Sequence, residues 1–161
     1  MSMRMGSSGF RKGPATPFEQ GLQALAERHY DAAIGFFSAA ADGTDRPAEA
    51  LSKRGVCYLR LNDPHAAAAD FEAALRADPK HAPALTNLGN LALEGGRLDE
   101  ARAHYEAAIA ADPEYPLAHH NYAVLLKREG RIGESVRELR RAAKLENGSF
   151  WDFLSGRRRR G

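Results

Sequence analysis

The sequence is poor in the features that usually announce chemistry. Of its 161 residues one is a cysteine, Cys57, with no second thiol to pair with and no zinc-ligand cluster around it. An intramolecular disulfide is therefore excluded, no metal is expected, and a reducing compartment, the cytoplasm, is the expected setting. Aromatic residues make up only 8%, while alanine dominates an apolar fraction of 43%. That balance disfavours a β-sandwich, which needs more branched and aromatic side chains, and favours closely packed helices. No stretch approaches the roughly 18 consecutive apolar residues of a membrane span. The opening residues, MSMRMGSSGFRKG, carry basic side chains but no apolar core of a secretion signal, so export is not expected either.

Nor is there a strong net charge, which is only +2. The distribution is uneven, however: residues 14–115 hold 9 Lys/Arg against 16 Asp/Glu, whereas residues 116–149 hold 7 against 4. Further cations sit at the two ends, Arg4, Arg11 and Lys12 first and Arg157, Arg158, Arg159 and Arg160 last. A nucleic-acid footprint gathers its cations on one face, so an acidic body with basic ends argues against one. Four arginines at the end would give nucleic acid or an anionic membrane no more than a weak, salt-sensitive contact.

Catalytic constellations are missing too. The six histidines (His29, His65, His81, His104, His119 and His120) form no pair four residues apart with an intervening glutamate, as a helical zinc protease site requires. Adjacent His119 and His120 would point about 100° apart on a helix and could hardly share one ion. Gly95-Gly96 lacks the strand and Gly-Lys-Ser/Thr context of a phosphate loop. Neither an enzyme nor a cofactor is expected.

What the chain does have is a repeat. Asp78-Pro79 and Asp112-Pro113 lie 34 residues apart in matching contexts, with Phe71-Glu72-Ala73-Ala74 recurring as Tyr105-Glu106-Ala107-Ala108 and Gly55 as Gly89. The same shift carries Ala67, Phe71 and Ala74 back to Ala33, Phe37 and Ala40, and Gly89, Ala101, Tyr105 and Ala108 on to Ala123, Ser135, Leu139 and Ala142. Four units result, at about 14–47, 48–81, 82–115 and 116–149, between a segment 1–13, expected to be disordered, and a tail 150–161. Each unit is long enough for two helices of roughly 13 residues, with small residues where the backbones approach and an aromatic filling the next hole. Asp63-Pro64 predicts a helix start, Gly95-Gly96 and Gly130 predict left-handed helix ends, and the two Asp-Pro steps predict that second helices stop there.

The third unit, with Leu85, Leu88-Gly89, Ala92, Ala101, Tyr105, Ala108 and Pro113, resembles a tetratricopeptide repeat, and so do its neighbours. The resemblance implies an all-α, right-handed solenoid of four antiparallel helical hairpins that works as a protein-interaction scaffold or adaptor. In that family the first helices line a concave groove. Carried over by register, the partner-facing residues are Glu49, Ser52, Lys53, Val56 and Arg60 in the second unit and Thr86, Asn87, Asn90, Leu93 and Glu94 in the third. The fourth offers Leu117, His120, Asn121, Val124, Lys127 and Arg128, and the first Phe18, Leu22 and Leu25. The asparagines suit a peptide backbone, and Lys53, Arg60, Lys127 and Arg128 favour an acidic ligand with apolar anchors. Family members that grip a chaperone tail use a clamp of lysines, asparagines and arginine. Thr86 stands where its first lysine would be, so recognition of a heat-shock-protein tail is not expected. Trp151 and Phe153 either fold back over the last helix or, with Arg157 to Arg160, form a linear motif for a partner. Head-to-tail self-assembly through acidic and basic ends is the alternative to an adaptor.

Overall fold

The computed structural model describes the backbone of residues 14–43 and 46–154 and the side chains of those up to 148. Eight helices follow one another: α1 (Pro17–Ala26), α2 (Tyr30–Asp42), α3 (Pro47–Arg60), α4 (Pro64–Ala77), α5 (Ala82–Glu94), α6 (Leu98–Ala111), α7 (Pro116–Arg128) and α8 (Ile132–Leu154). Among the described residues all regular structure is helical. The extensive contacts join helices adjacent in the chain, and α5 also touches α7. This is the contact pattern of an open stack, in which each hairpin leans only on its neighbours.

The helix ends follow from local chemistry. Thr16 and Glu19 form a reciprocal capping box at α1, and Asp63 accepts from the Ala66 amide at 3.0 Å ahead of Pro64. The second helices α4 and α6 stop at Ala77 and Ala111 because a residue before proline is pushed out of the helical region; Asp78 and Asp112 are extended, at φ −142° and −140°. First helices end differently, on a left-handed residue: Arg28 (φ 64°), Asn62 (φ 62°), Gly96 (φ 73°) and Gly130 (φ 76°), spaced 34 apart. Of the pair Gly95-Gly96, only Gly96 turns left-handed; Gly95 keeps a negative φ of −76°.

Packing within each hairpin is set by one small residue against one ring. A methyl group on Gly21, Gly55 or Gly89 would stand 2.7, 2.7 or 2.6 Å from the ring of Phe37, Phe71 or Tyr105, all fully buried. At the equivalent positions the fourth hairpin has Ala123, which is buried, and Leu139, which is 40% exposed because among the described residues no helix packs on that side of α8.

Helix α8 departs from the expected boundary at 149. It is 23 residues long, against 13 or 14 for α2 to α7, and carries the backbone of 150–154 onward in one helix. The backbone therefore does not fold back over the last hairpin; continued helical hydrogen bonding outweighs the penalty of Gly148, about 1 kcal/mol relative to alanine. The side chains of Trp151 and Phe153, Arg157 to Arg160, and the N-terminal segment 1–13 lie outside the described residues.

Candidate partner-binding groove

Among the first helices, α5 and α7 lie in contact, and side chains meet across them. Asn121 on α7 donates its amide to Asn90 Oδ1 on α5 at 2.9 Å, and the Tyr105 hydroxyl donates to the same oxygen at 2.8 Å. Burial pushes the Tyr105 phenol up to about 12, with Glu94 adding to the shift, so the hydroxyl remains a donor at neutral pH. One step further along, Arg128 Nη1 on α7 donates to the Leu93 carbonyl on α5 at 3.1 Å. Among the described residues neither the Asn90 amide nitrogen nor the Asn121 side-chain oxygen has a partner.

Around this bridge the expected residues divide. Val124 and Leu117 stand exposed at 42% and 51%, and His120, Lys127, Arg128, Glu94 and Arg60 are also exposed. Glu49, Lys53, Val56, Asn87, Asn90 and Asn121 are half-buried, with Glu49 held 3.6 Å from Arg46. Ser52 and Thr86 depart from expectation: both are only 3% exposed, because neighbouring helices close over this register position. The Thr86 hydroxyl has no partner among the described residues. Phe18 departs as well, turning to meet Phe37 edge-on at 5.7 Å with Arg46 above its ring, while Leu22 stays exposed and Leu25 half-buried. At the end of α3, Val56 and Arg60 join Leu25, Arg28 and Tyr30 around a hollow of about 370 Å³. Lys53, Arg60 and Lys127 form no salt bridge among the described residues.

The tetratricopeptide repeat family model matches three overlapping stretches, residues 18–82, 58–116 and 86–150. This chain belongs to the tetratricopeptide repeat family. Solved tetratricopeptide structures resemble it at the level of fold. A thermophilic tetratricopeptide protein of Thermus thermophilus superposes with a TM-score of 0.69 at 22% identity, covering 81% of this chain and 73% of that one. MamA gives 0.66 at 20% identity, with 83% and 78% covered. The first tetratricopeptide domain of Spaghetti (RPAP3), bound to the HSP90 peptide SRMEEVD, gives 0.62 at 20% identity, with 71% and 90% covered. No curated protein sequence matches the chain.

Repeat reasoning overlooked three polar contacts that hold the tetratricopeptide stack. Arg54 takes the place that Leu88 fills in the third repeat, and forks onto Asp70 at 2.7 and 2.6 Å while its third nitrogen reaches Ser38 at 2.8 Å, joining α2, α3 and α4. His119 is the second. It is buried, and its two ring nitrogens lie 2.7 Å from Glu138 and 2.9 Å from the Pro113 carbonyl, tying α7 to α8 and to the preceding turn. Arg102 pairs with Glu129, which Arg131 flanks at 3.5 Å. A cation at a leucine position was the available signal for the first. Cys57 is fully buried, and burial together with Asp70 pushes its thiol up to about 11. Among the described residues no group of three metal-ligating side chains converges.

Proposed function

We propose that this chain is a non-enzymatic adaptor that holds a peptide segment of a protein partner along the surface formed by α1, α3, α5 and α7. The observation that carries the reading is the Asn90–Asn121 bridge, held from behind by Tyr105. It fixes one amide donor and one amide acceptor, both without a partner among the described residues, beside the exposed apolar Val124, a pairing suited to a peptide backbone. Lys53, Arg60, Lys127 and Arg128 give the ligand an acidic character, since unpaired cations on a binding surface steer and orient negative charge. We place the protein in the cytoplasm, where its one thiol, Cys57, stays reduced. The test is co-purification from the native cell with mass spectrometry, comparing wild type with Lys53→Glu/Arg128→Glu. Recovery of the partner should fall about tenfold in the variant; unchanged recovery would remove the groove assignment.

A second reading, head-to-tail self-assembly, is favoured by Ile132, Val136 and Leu139, exposed at 54%, 38% and 40% on α8 where the matching side of α6 is covered by α7. Light scattering across a salt series separates the two. A monomer at every concentration and salt level ends the self-assembly reading and leaves the adaptor.

A further inference from the structure

The repeat supplies its own controls for one position. Where the first helix of a hairpin ends, the later hairpins place Asn62, Gly96 and Gly130 in the left-handed region, residues that adopt it at little cost. The first hairpin places Arg28 there, at φ 64°. A long side chain with a Cβ gains nothing from this backbone conformation, and strain of that kind persists where something else makes use of it.

Its guanidinium shows what that use is. Arg28 Nε donates to Tyr30 Oη at 3.2 Å, and both residues line the 370 Å³ hollow together with Arg60. Arg60 sits in the last turn of α3, where the third repeat has Glu94. Among the described residues no carboxylate lines the hollow; Glu27 faces His29 instead, 3.4 Å away. The hollow is completed by the aliphatic Leu25 and Val56. Two guanidiniums bordering one space repel each other until an anion lies between them, and each presents a fork of donors that matches a carboxylate or phosphate. The aliphatic pair suits the carbon stem that carries such a group.

We propose that this hollow is an oxyanion site at the first-repeat end of the groove, holding an acidic side chain of the bound peptide between Arg28 and Arg60 with its stem on Leu25 and Val56. The inference rests on the adaptor reading above and adds the ligand's chemistry. The shared feature is an oxyanion on a short stem, supplied either by glutamate or by a phosphorylated serine.

Substituting Arg28→Gly tests it cleanly, because glycine takes the same left-handed turn without strain. Wild type, Arg28→Gly and Arg60→Gln are titrated with inorganic phosphate at constant ionic strength, following the Tyr30, Leu25 and Val56 resonances. They are then titrated with two synthetic peptides of one leucine-flanked sequence carrying glutamate or phosphoserine at the same place. Saturable shifts at those three residues are expected in wild type, with affinity for at least one peptide lowered about tenfold in each variant. The melting temperature of Arg28→Gly should be no lower than that of wild type. The better peptide identifies the source of the oxyanion. Equal affinity in all three proteins, or free phosphate binding as tightly as either peptide, overturns the proposal. If the Lys53→Glu/Arg128→Glu pair still loses the cellular partner in that event, the groove stands and only this site falls.

Discussion

Gly89 and Tyr105 occupy a space that neither could share with a larger neighbour. A methyl group on Gly89 would sit 2.6 Å from the tyrosine ring, which is itself fully buried and bonded through its hydroxyl to Asn90, so it has little freedom to retreat. Alanine is the better helix former by about 1 kcal/mol, but overpacking a tight core costs about 1–3 kcal/mol. We expect Gly89→Ala to lower the urea midpoint, and Gly89→Ala/Tyr105→Leu to show a favourable coupling energy, since the fourth hairpin carries Ala123 and Leu139 at the same two register positions. Strict additivity in that double-mutant cycle would show that the two positions do not compete for the same space. This pairing was legible in the sequence, because small and bulky residues recur in phase. The burial of Ser52 and Thr86 was not: register tells which face a side chain is on, while the neighbouring helix decides whether it stays in view.

At the scale of the element, helix starts and stops were largely written in Asp-Pro steps and left-handed glycines, and Asp63, Asp78, Gly96 and Gly130 act as their spacing predicts. Two features were not written there. The length of α8 was hidden because the repeat period sets the end of the fourth unit at 149, while Gly148 costs less than the continued helix gains. The clamp of Arg54 on Asp70 was hidden because its members lie 16 residues apart on separate helices, and only the packed hairpin brings them to 2.6 Å. Arg54 keeps 23% of its side chain exposed while Asp70 keeps 8%, so the pair is partly shielded from solvent. Removing one partner leaves a poorly hydrated charge, whereas replacing both removes the burden altogether. Asp70→Ala should destabilise by about 2 kcal/mol, discounted from the fully buried case for the exposure of Arg54. Arg54→Leu/Asp70→Ala, which restores the leucine found at Leu88, should recover most of that loss in chemical denaturation. A double variant as unstable as the single would mean that the clamp organises the hairpin beyond its own charges.

On the scale of the whole molecule, stability in a stack depends on how many neighbours a hairpin has. The two inner hairpins, α3–α4 and α5–α6, pack on both sides, and their rings Phe71 and Tyr105 are completely covered. Among the described residues the hairpin α7–α8 packs on one side only; Ile132, Val136 and Leu139 are exposed on α8, the contact of His119 with Glu138 joins its two helices, and that of Arg102 with Glu129 ties it to α6. Burial of apolar surface contributes roughly 25 cal/mol per Å², so an end helix with one bare apolar face holds less of the stabilising term than an inner one while its backbone is ordered at the same entropic cost. Opening should therefore begin at this end and run inward rather than occur in one step. Native-state hydrogen exchange is expected to show the amides of α8 opening with the lowest free energy among α3 to α8, and those of α4 and α5 with the highest. Addition of a partner that covers Val136 and Leu139 should raise protection in α7–α8 selectively, whereas a ligand along the first-helix surface should raise it across α3, α5 and α7 together. Uniform exchange free energies from α3 through α8 would mean that the hairpins open as a single cooperative unit.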